Sequence, residues 1–461
     1  MTTEAQLPQT GNALASRPLS ANEEFLYAFD RGNDLGVFGP RGIVVGSWRL
    51  HGPLDPAAVQ LALNDVVARH EVLRTWIIRD KDAPHACVYP PSPVDLTVVG
   101  IPPAADRERR AYEFLDEVDR AARLAATRMP LLQATLGRFD DNDAVLVLIT
   151  HHTVSDGWSM QVIMRDFGIC YAKRRGLPAP ELPPMRQYGE YASWQQQARH
   201  GKSAAIAREY WQTKLAGGKI LTTPTDRTRH LDVPPVYSVY RYLFERELVS
   251  ATNALAKSLH SSSFMVLYAG FNLFLHRRTG VSDIVSPIIT SGRTEEPEFE
   301  HTVGPLFNFL PIRTDLSGCA NFAELVHRTR AALLEAYSYE LPFGDIIGVS
   351  EPELMQGPTN DLNGVVTAFQ ISQFPEELEA KGVGDIRYTT LRQRLTSSED
   401  TSEIPDGNLW DFDLDPAGNV VGVVVKFNSL DFDQSTIIAM IDEYRQLLHA
   451  SLKSPDSELP R

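Results

Sequence analysis

His151-His152-Thr153-Val154-Ser155-Asp156-Gly157-Trp158-Ser159 is the stretch on which the reading of this chain turns. It follows Ala144-Val145-Leu146-Val147-Leu148-Ile149-Thr150, a run of apolar and β-branched residues that predicts a buried strand. Two histidines therefore arrive at a strand end, where a reactive side chain can be held rigidly, and an Asp-Gly step follows at once. In His-x-x-x-Asp-Gly the imidazole can act on a proton and the carboxylate four residues on can tie down the loop by ion pairing. The glycine permits a close backbone approach. A histidine beside an aspartate is more often structural than catalytic, so the doubled histidine and the following Trp-Ser are what make this stretch informative.

Outward from the motif, helical spacing over 160–171 ends in Lys173, Arg174 and Arg175, cations where a helix dipole favours them. That cluster is also a candidate docking patch for an acidic partner, as are Arg107, Arg109 and Arg110. The proline-rich stretch 177–184 is a stiff connector. It divides the chain into a polar disordered tail over 1–16, a lobe over 17–180 that carries the motif, and a second lobe over 181–455. Ser20 with Glu23 signals a capped helix, and Asp55-Pro56 opens another that runs to Arg69. The charged cluster Arg69-His70-Glu71-Val72-Leu73-Arg74-Thr75 then reads as a solvated helix end, and 107–128 as a charged helix.

In the second half, 222–227 reads as a loop, 237–245 as a strand, 248–260 and 264–278 as helices, and 283–289 as a buried strand. The last of these delivers Arg293, the candidate ion-pair partner of Asp156. The stretch 303–313 is apolar except for Asn308 and Arg313. A buried Asn must find hydrogen bonds, so Asn308 is either a structural bracket or a substrate contact. Residues 375–405 form a polar excursion, 409–414 and 420–427 a hairpin, and 435–452 a final helix. The strand entering Phe427-Asn428-Ser429 and the helix after it repeat the shape of the strand entering His151-His152-Thr153, capped near Ser435 and Ser159, as two copies of one fold would.

The chain has 461 residues, 43% of them hydrophobic, with a formal charge of −15. That content fills sizeable cores, and that charge argues against a phosphate backbone or an anionic membrane as the main partner. The start has no secretory pattern and no stretch approaches a membrane span, so the expected location is cytoplasmic. Cys87, Cys170 and Cys319 are odd in number and far apart, with neither metal-ligand nor redox spacing, and no metal is expected.

Taken in order, Arg69 to Thr75, the motif, Tyr188 to Trp194, 264–280 with Arg293, 303–313 and Leu341-Pro342-Phe343 resemble the condensation domains of nonribosomal peptide synthesis. The resemblance runs from about 17 to 453. Within that family, the chain is similar to the free-standing condensation enzymes of enediyne antibiotic pathways, since it opens on Met1 and carries no adenylation or carrier sequence. The resemblance implies an α/β fold of two chloramphenicol acetyltransferase-like lobes, a V-shaped pseudo-dimer with a central tunnel open on two faces. It implies that His152 acts on the acceptor's proton or positions the acceptor, while His151 is structural. Asp156 would pair with Arg293, and Gly157 would let the backbone turn toward the tetrahedral oxyanion. Asn308, Trp158 and Ser159 would lie along the tunnel.

The same resemblance implies no resident cofactor. The phosphopantetheine arm of a carrier protein would bring an acyl thioester, an aminoacyl one above all, and a diffusible small molecule would accept it; neither nucleic acid nor membrane takes part. Ser20-Ala21-Asn22-Glu23-Glu24-Phe25-Leu26-Tyr27 departs from the family's Ser-x-Ala-Gln-x-Arg-Leu-Trp. Ser338-Tyr339-Glu340 replaces His-Gln-Asp, and 362–370 is far from its pattern. These departures weigh against ordinary peptide formation and favour a hydroxyl over an amine as acceptor. The alternatives are a free-standing acyltransferase of the polyketide-associated or wax-ester type, and a non-catalytic recruitment domain.

Overall fold

The computed structural model describes residues 12–32, 35–293, 297–374, 382–392, 395–404, 406–414 and 420–459. The motif strand, Asp143–His151, lies in the middle of a five-stranded sheet, buried at every position. Ile43–His51 and Leu132–Asp140 flank it, both antiparallel. Its side chains alternate as the pleat requires. Leu146 and Leu148 join a core with helices Pro56–Arg69 and Gly157–Arg174, while Val145, Val147 and Ile149 face Phe114 and Leu115 of helix Arg107–Ala121. A strand covered on both faces needs the continuous apolar run that 144–149 supplies.

The second half forms an eight-stranded sheet. Its path runs Phe307–Asp315, Asp283–Ser291, Gly364–Ser372, Asn408–Leu414, Val420–Asn428, Tyr237–Leu243 and Ser397–Ser398, with Thr222–Pro224 paired to Gly364–Ser372 off that path. Helices Ser263–Thr279, Phe322–Ser338 and Gln434–Lys453 close over it around Phe271, Phe274, Phe369, Trp410, Phe412 and Tyr444. Each such fully buried ring contributes about 1.5–3 kcal/mol of burial energy, which makes this the larger of the cores. The two halves repeat one design, as the two-lobe pseudo-dimer requires. Val420–Asn428 runs into Gln434–Lys453 as the motif strand runs into Gly157–Arg174. The caps are Asp433 and Asp156 rather than serines, and of the two only Asp156 caps through its side chain.

Several elements differ from the sequence expectation. Ala15–Pro18 pairs with His85–Val88, so the tail does not reach residue 16; 1–11 lie outside the described residues. The charged helix stops at Ala121, not 128, and Thr222–Pro224 is a strand within the expected loop. Of the excursion over 375–405, residues 375–381 and 393–394 and position 405 lie outside the described residues. Arg387–Thr390 within it adds an edge strand to Ile43–His51. The second half thus completes the sheet of the first, across the boundary drawn at 180. The hairpin pairs as expected, its turn over 415–419 lying outside the described residues. Among the described residues, no helix is long and apolar enough to cross a membrane.

Candidate active site

The motif strand ends at His151, and six residues later the chain enters helix Gly157–Arg174. His151 is fully buried. Its Nε2 faces the Gly39 carbonyl at 3.2 Å and its Nδ1 the Thr153 hydroxyl at 2.8 Å. Burial pushes its pKa down to about 3, so it is a neutral structural bracket near pH 7.

His152 is half-buried and held differently. Its backbone N–H donates to Gly42 O at 2.8 Å, and its Nδ1 sits 2.9 Å from Ser155 O. A carbonyl only accepts, so Nδ1 carries the hydrogen and Nε2 keeps its lone pair, with no partner among the described residues. The ring of Phe307 meets the imidazole edge-on at 5.2 Å between centroids. Burial lowers the pKa below the ordinary histidine value, outweighing Asp156 and the Ser155 carbonyl, so the ring is a neutral base near pH 7.

Two cavities share His152, Gly157, Gln370 and Leu409 in their walls. One, of about 150 Å³, is walled mainly by apolar side chains such as Leu26, Val37, Ile289, Phe307 and Phe309. The other, of about 410 Å³, is walled by Gln161, Asp119, Arg241, Asp411 and Lys426 among others. His152 therefore stands where two compartments of different polarity meet. No cysteine lines either cavity among the described residues, and Cys87 and Cys170 are buried elsewhere.

Asp156 holds the loop. Its Oδ2 lies 2.7 Å from Arg293 Nη1 and its Oδ1 3.1 Å from Nη2, a bidentate pair between the two halves of the chain. The carboxylate also accepts from the backbone N–H of Ser159 at 2.8 Å and of Leu306 at 3.1 Å. Burial alone would raise its pKa, but Arg293 and these donors win and hold it below the usual carboxylate value.

Ser159 is no tunnel residue: it is fully buried, its hydroxyl 2.7 Å from Asp156 Oδ1 and accepting from Arg293 Nη2 and Gly304 N–H at 3.0 Å each. Trp158 lines neither cavity; its indole N–H donates to Glu300 O at 2.9 Å. Asn308 resolves as a bracket. It donates to Glu340 Oε1 at 2.8 Å and Leu341 O at 2.9 Å and accepts from Phe343 N–H at 3.0 Å; it lines neither of these two cavities but a third, of about 230 Å³, with Tyr191, Trp194 and Glu340. Each cation of the two candidate docking clusters has a carboxylate partner at the surface. Lys173 pairs with Glu181, Arg174 with Asp65 and Arg175 with Asp385, while Arg107, Arg109 and Arg110 meet Asp140, Glu113 and Glu117.

Arg69 to Thr75 is not a solvated helix end. Arg69 and His70 reach the wholly buried Asp166 at 2.8 and 2.9 Å, and Arg165 meets its other oxygen, fixing the helix that follows the motif. Against burial, His70 and Arg165 hold Asp166 down to about 2. Asp166 escaped the sequence reading although a signal was present: a buried charge needs partners, and Arg165 stands beside it.

Gly157 also differs from expectation. It is the first residue of the helix, its φ lies outside the left-handed region, and an added Cβ would meet only Phe374, at 3.5 Å. It keeps space open beside His152 rather than permitting a turn. Gly157→Ala is expected to leave melting unchanged or stabilise by about 0.4–1 kcal/mol. Turnover should fall at least about tenfold by crowding the reacting atoms. Full turnover with an unchanged KM would show that this space is not used.

The condensation-domain family profile matches residues 44–461, nearly the whole chain. The chain belongs to the condensation-domain family. Among solved structures, this condensation domain is similar to the SgcC5 protein of Streptomyces globisporus, with 39% identity and a TM-score of 0.89 over 96% of this chain and 100% of that one. It shares the fold of the first condensation domain of the CDA synthetase at 18% identity, with a TM-score of 0.73 over 97% of this chain and 98% of that one. Among curated relatives, it is 30% identical to the chondramide synthase cmdD of Chondromyces crocatus over 89% of its own length. To a linear gramicidin synthase of Brevibacillus parabrevis it is 29% identical over 96%. This condensation domain spans 10% and 6% of those two much longer proteins.

Proposed function

We propose that the chain transfers an acyl group, an aminoacyl group above all, from the phosphopantetheine thioester of a carrier protein to the hydroxyl of a diffusible small molecule, forming an ester in natural-product biosynthesis. The observation that carries this reading is His152, a neutral imidazole with an unengaged Nε2 where two cavities meet. In the proposed step Nε2 takes the proton of the acceptor's O–H as the oxygen attacks the thioester carbonyl. The tetrahedral intermediate collapses, the C–S bond breaks, and the imidazolium returns the proton to the departing thiolate. Gly157 opens the helix beside His152, so its first backbone N–H groups and the helix dipole would favour the developing oxyanion.

The hydroxyl preference draws support from SgcC5, whose structure was solved in complex with a naphthyl ethanediol. Because burial lowers the pKa of His152, kcat/KM should stay level at neutral pH and fall only below about 6.5, as the base is lost to protonation. The substrate assignment is tested by offering one acyl group on a carrier protein, on coenzyme A and on a short pantetheine mimic, with matched alcohol and amine acceptors. Carrier-borne donor and ester product should dominate. Equal rates from carrier and coenzyme A would overturn the carrier, and amide exceeding ester would overturn the hydroxyl.

A further inference from the structure

The larger cavity beside His152 has an unusual hydrogen-bond balance. Asp119 Oδ1, Gln161 Oε1, Glu403 Oε2 and Asp411 Oδ1 are all buried in side chains that line it, and none has a partner among the described residues. Gln161, which is only 7% exposed, looks across from the motif helix; Asp411 comes from the central hairpin of the second half, and Asp119 from the helix behind the first sheet. The cations of the same walls are already engaged. Lys426 Nζ donates to Ser402 O at 3.0 Å and Ser402 Oγ at 2.7 Å. Arg241 Nη1 donates to Leu395 O at 3.2 Å and Ser398 Oγ at 3.0 Å, and Arg392 pairs with Asp413. Four acceptors are left bare, and these cations donate to other groups.

Buried acceptors left bare are costly, and the group that satisfies several at once is one with several N–H donors and a positive charge. We propose that this cavity binds the protonated primary amine of an aminoacyl donor, with Asp411 Oδ1 as its ionic partner and Gln161 as a second acceptor. This deepens the proposed function and rests on it for the identity of the donor. Asp411 is suited to the part. Its Oδ2 is fixed by the Ser372 hydroxyl at 2.9 Å, and burial raises its pKa to about 7, outweighing the Ser372 bond and the pull of Lys426 and Arg392. Holding the amine as an ammonium also removes its lone pair.

The test is calorimetric binding of two non-hydrolysable pantetheine amides, one carrying a free amino group on its acyl chain and the other identical but lacking it. The wild-type protein should bind the amine probe about ten- to a hundredfold more tightly, the worth of a charged hydrogen bond. Asp411→Asn, which keeps the shape and the Ser372 contact, should bring the two affinities to within about twofold of each other, and Gln161→Met should narrow the gap. Equal affinities in the wild type, or no binding of either probe, would overturn the proposal, as would a preference that survives in Asp411→Asn. Turnover plays no part in this readout. A chain that prefers the amine yet transfers nothing contradicts the proposed function, whereas one that transfers acyl groups without the preference contradicts this inference alone.

Discussion

Replacing His152 by alanine is expected to lower ester formation by about 10²–10⁴-fold, the usual contribution of one general base, while the protein still folds. The expectation of a folded variant follows from how little the ring holds. It donates once, to Ser155 O, and touches Phe307 edge-on; the loop itself is fastened by His151 and Asp156. Asparagine at this position could keep the bond to Ser155 and should be nearly as inactive, since it offers no base. The measurement is turnover at saturating donor beside a thermal melt. A variant that keeps near wild-type turnover would show that positioning between the cavities is enough without proton transfer.

Asp156→Asn is expected to cost about 3–5 kcal/mol of stability, because it leaves the Arg293 guanidinium buried without its counter-charge. The arginine side chain is only 2% exposed, so water cannot replace the lost carboxylate. An amide cannot accept from Arg293, Ser159 and Leu306 together, as the carboxylate does. Arg293→Gln should cost a similar amount. The double variant should lose much less than the sum, since each single change already breaks the same pair. Additive losses in denaturant titrations would contradict the coupling. Turnover should fall in both single variants, because the pair joins the loop that carries His152 to the opposite half of the molecule.

What was legible in the sequence was local. The strand before His151, the Asp55 cap and Pro56 start of its helix, and the capping box of Ser20 with Glu23 each follow from residues close in the chain, and each formed as read. Arg293 was found because a strand end delivers one charged residue and Asp156 needed a partner. Most of the failures are non-local. Nothing near 387–390 says that this segment joins a sheet whose neighbour strand begins at Ile43. Ser159 was assigned to the tunnel because it follows the motif, but a residue two positions into a helix faces where the helix turns it, here onto Asp156 and Gly304. The carboxylates that meet Arg174 and Arg175, Asp65 and Asp385, are far away in sequence, so the pairing of those cations is not legible from spacing. Asp411, Gln161 and Asp119 meet only when both sheets are folded, so no spacing could announce them.

The central claim is direct transfer from a carrier-borne thioester to an acceptor hydroxyl under the control of His152, and intact-protein mass spectrometry of a single turnover tests it most directly. Acyl-loaded carrier protein is mixed with excess enzyme, with and without a hydroxyl acceptor, and the masses of carrier, enzyme and small molecule are followed together. The expected result is loss of the acyl mass from the carrier only when acceptor is present, matched by ester product, with the enzyme mass unchanged and the transfer slowed by about 10²–10⁴-fold in His152→Ala. An enzyme that gains the acyl mass before product appears, or a carrier that keeps its acyl group with acceptor present, would contradict it.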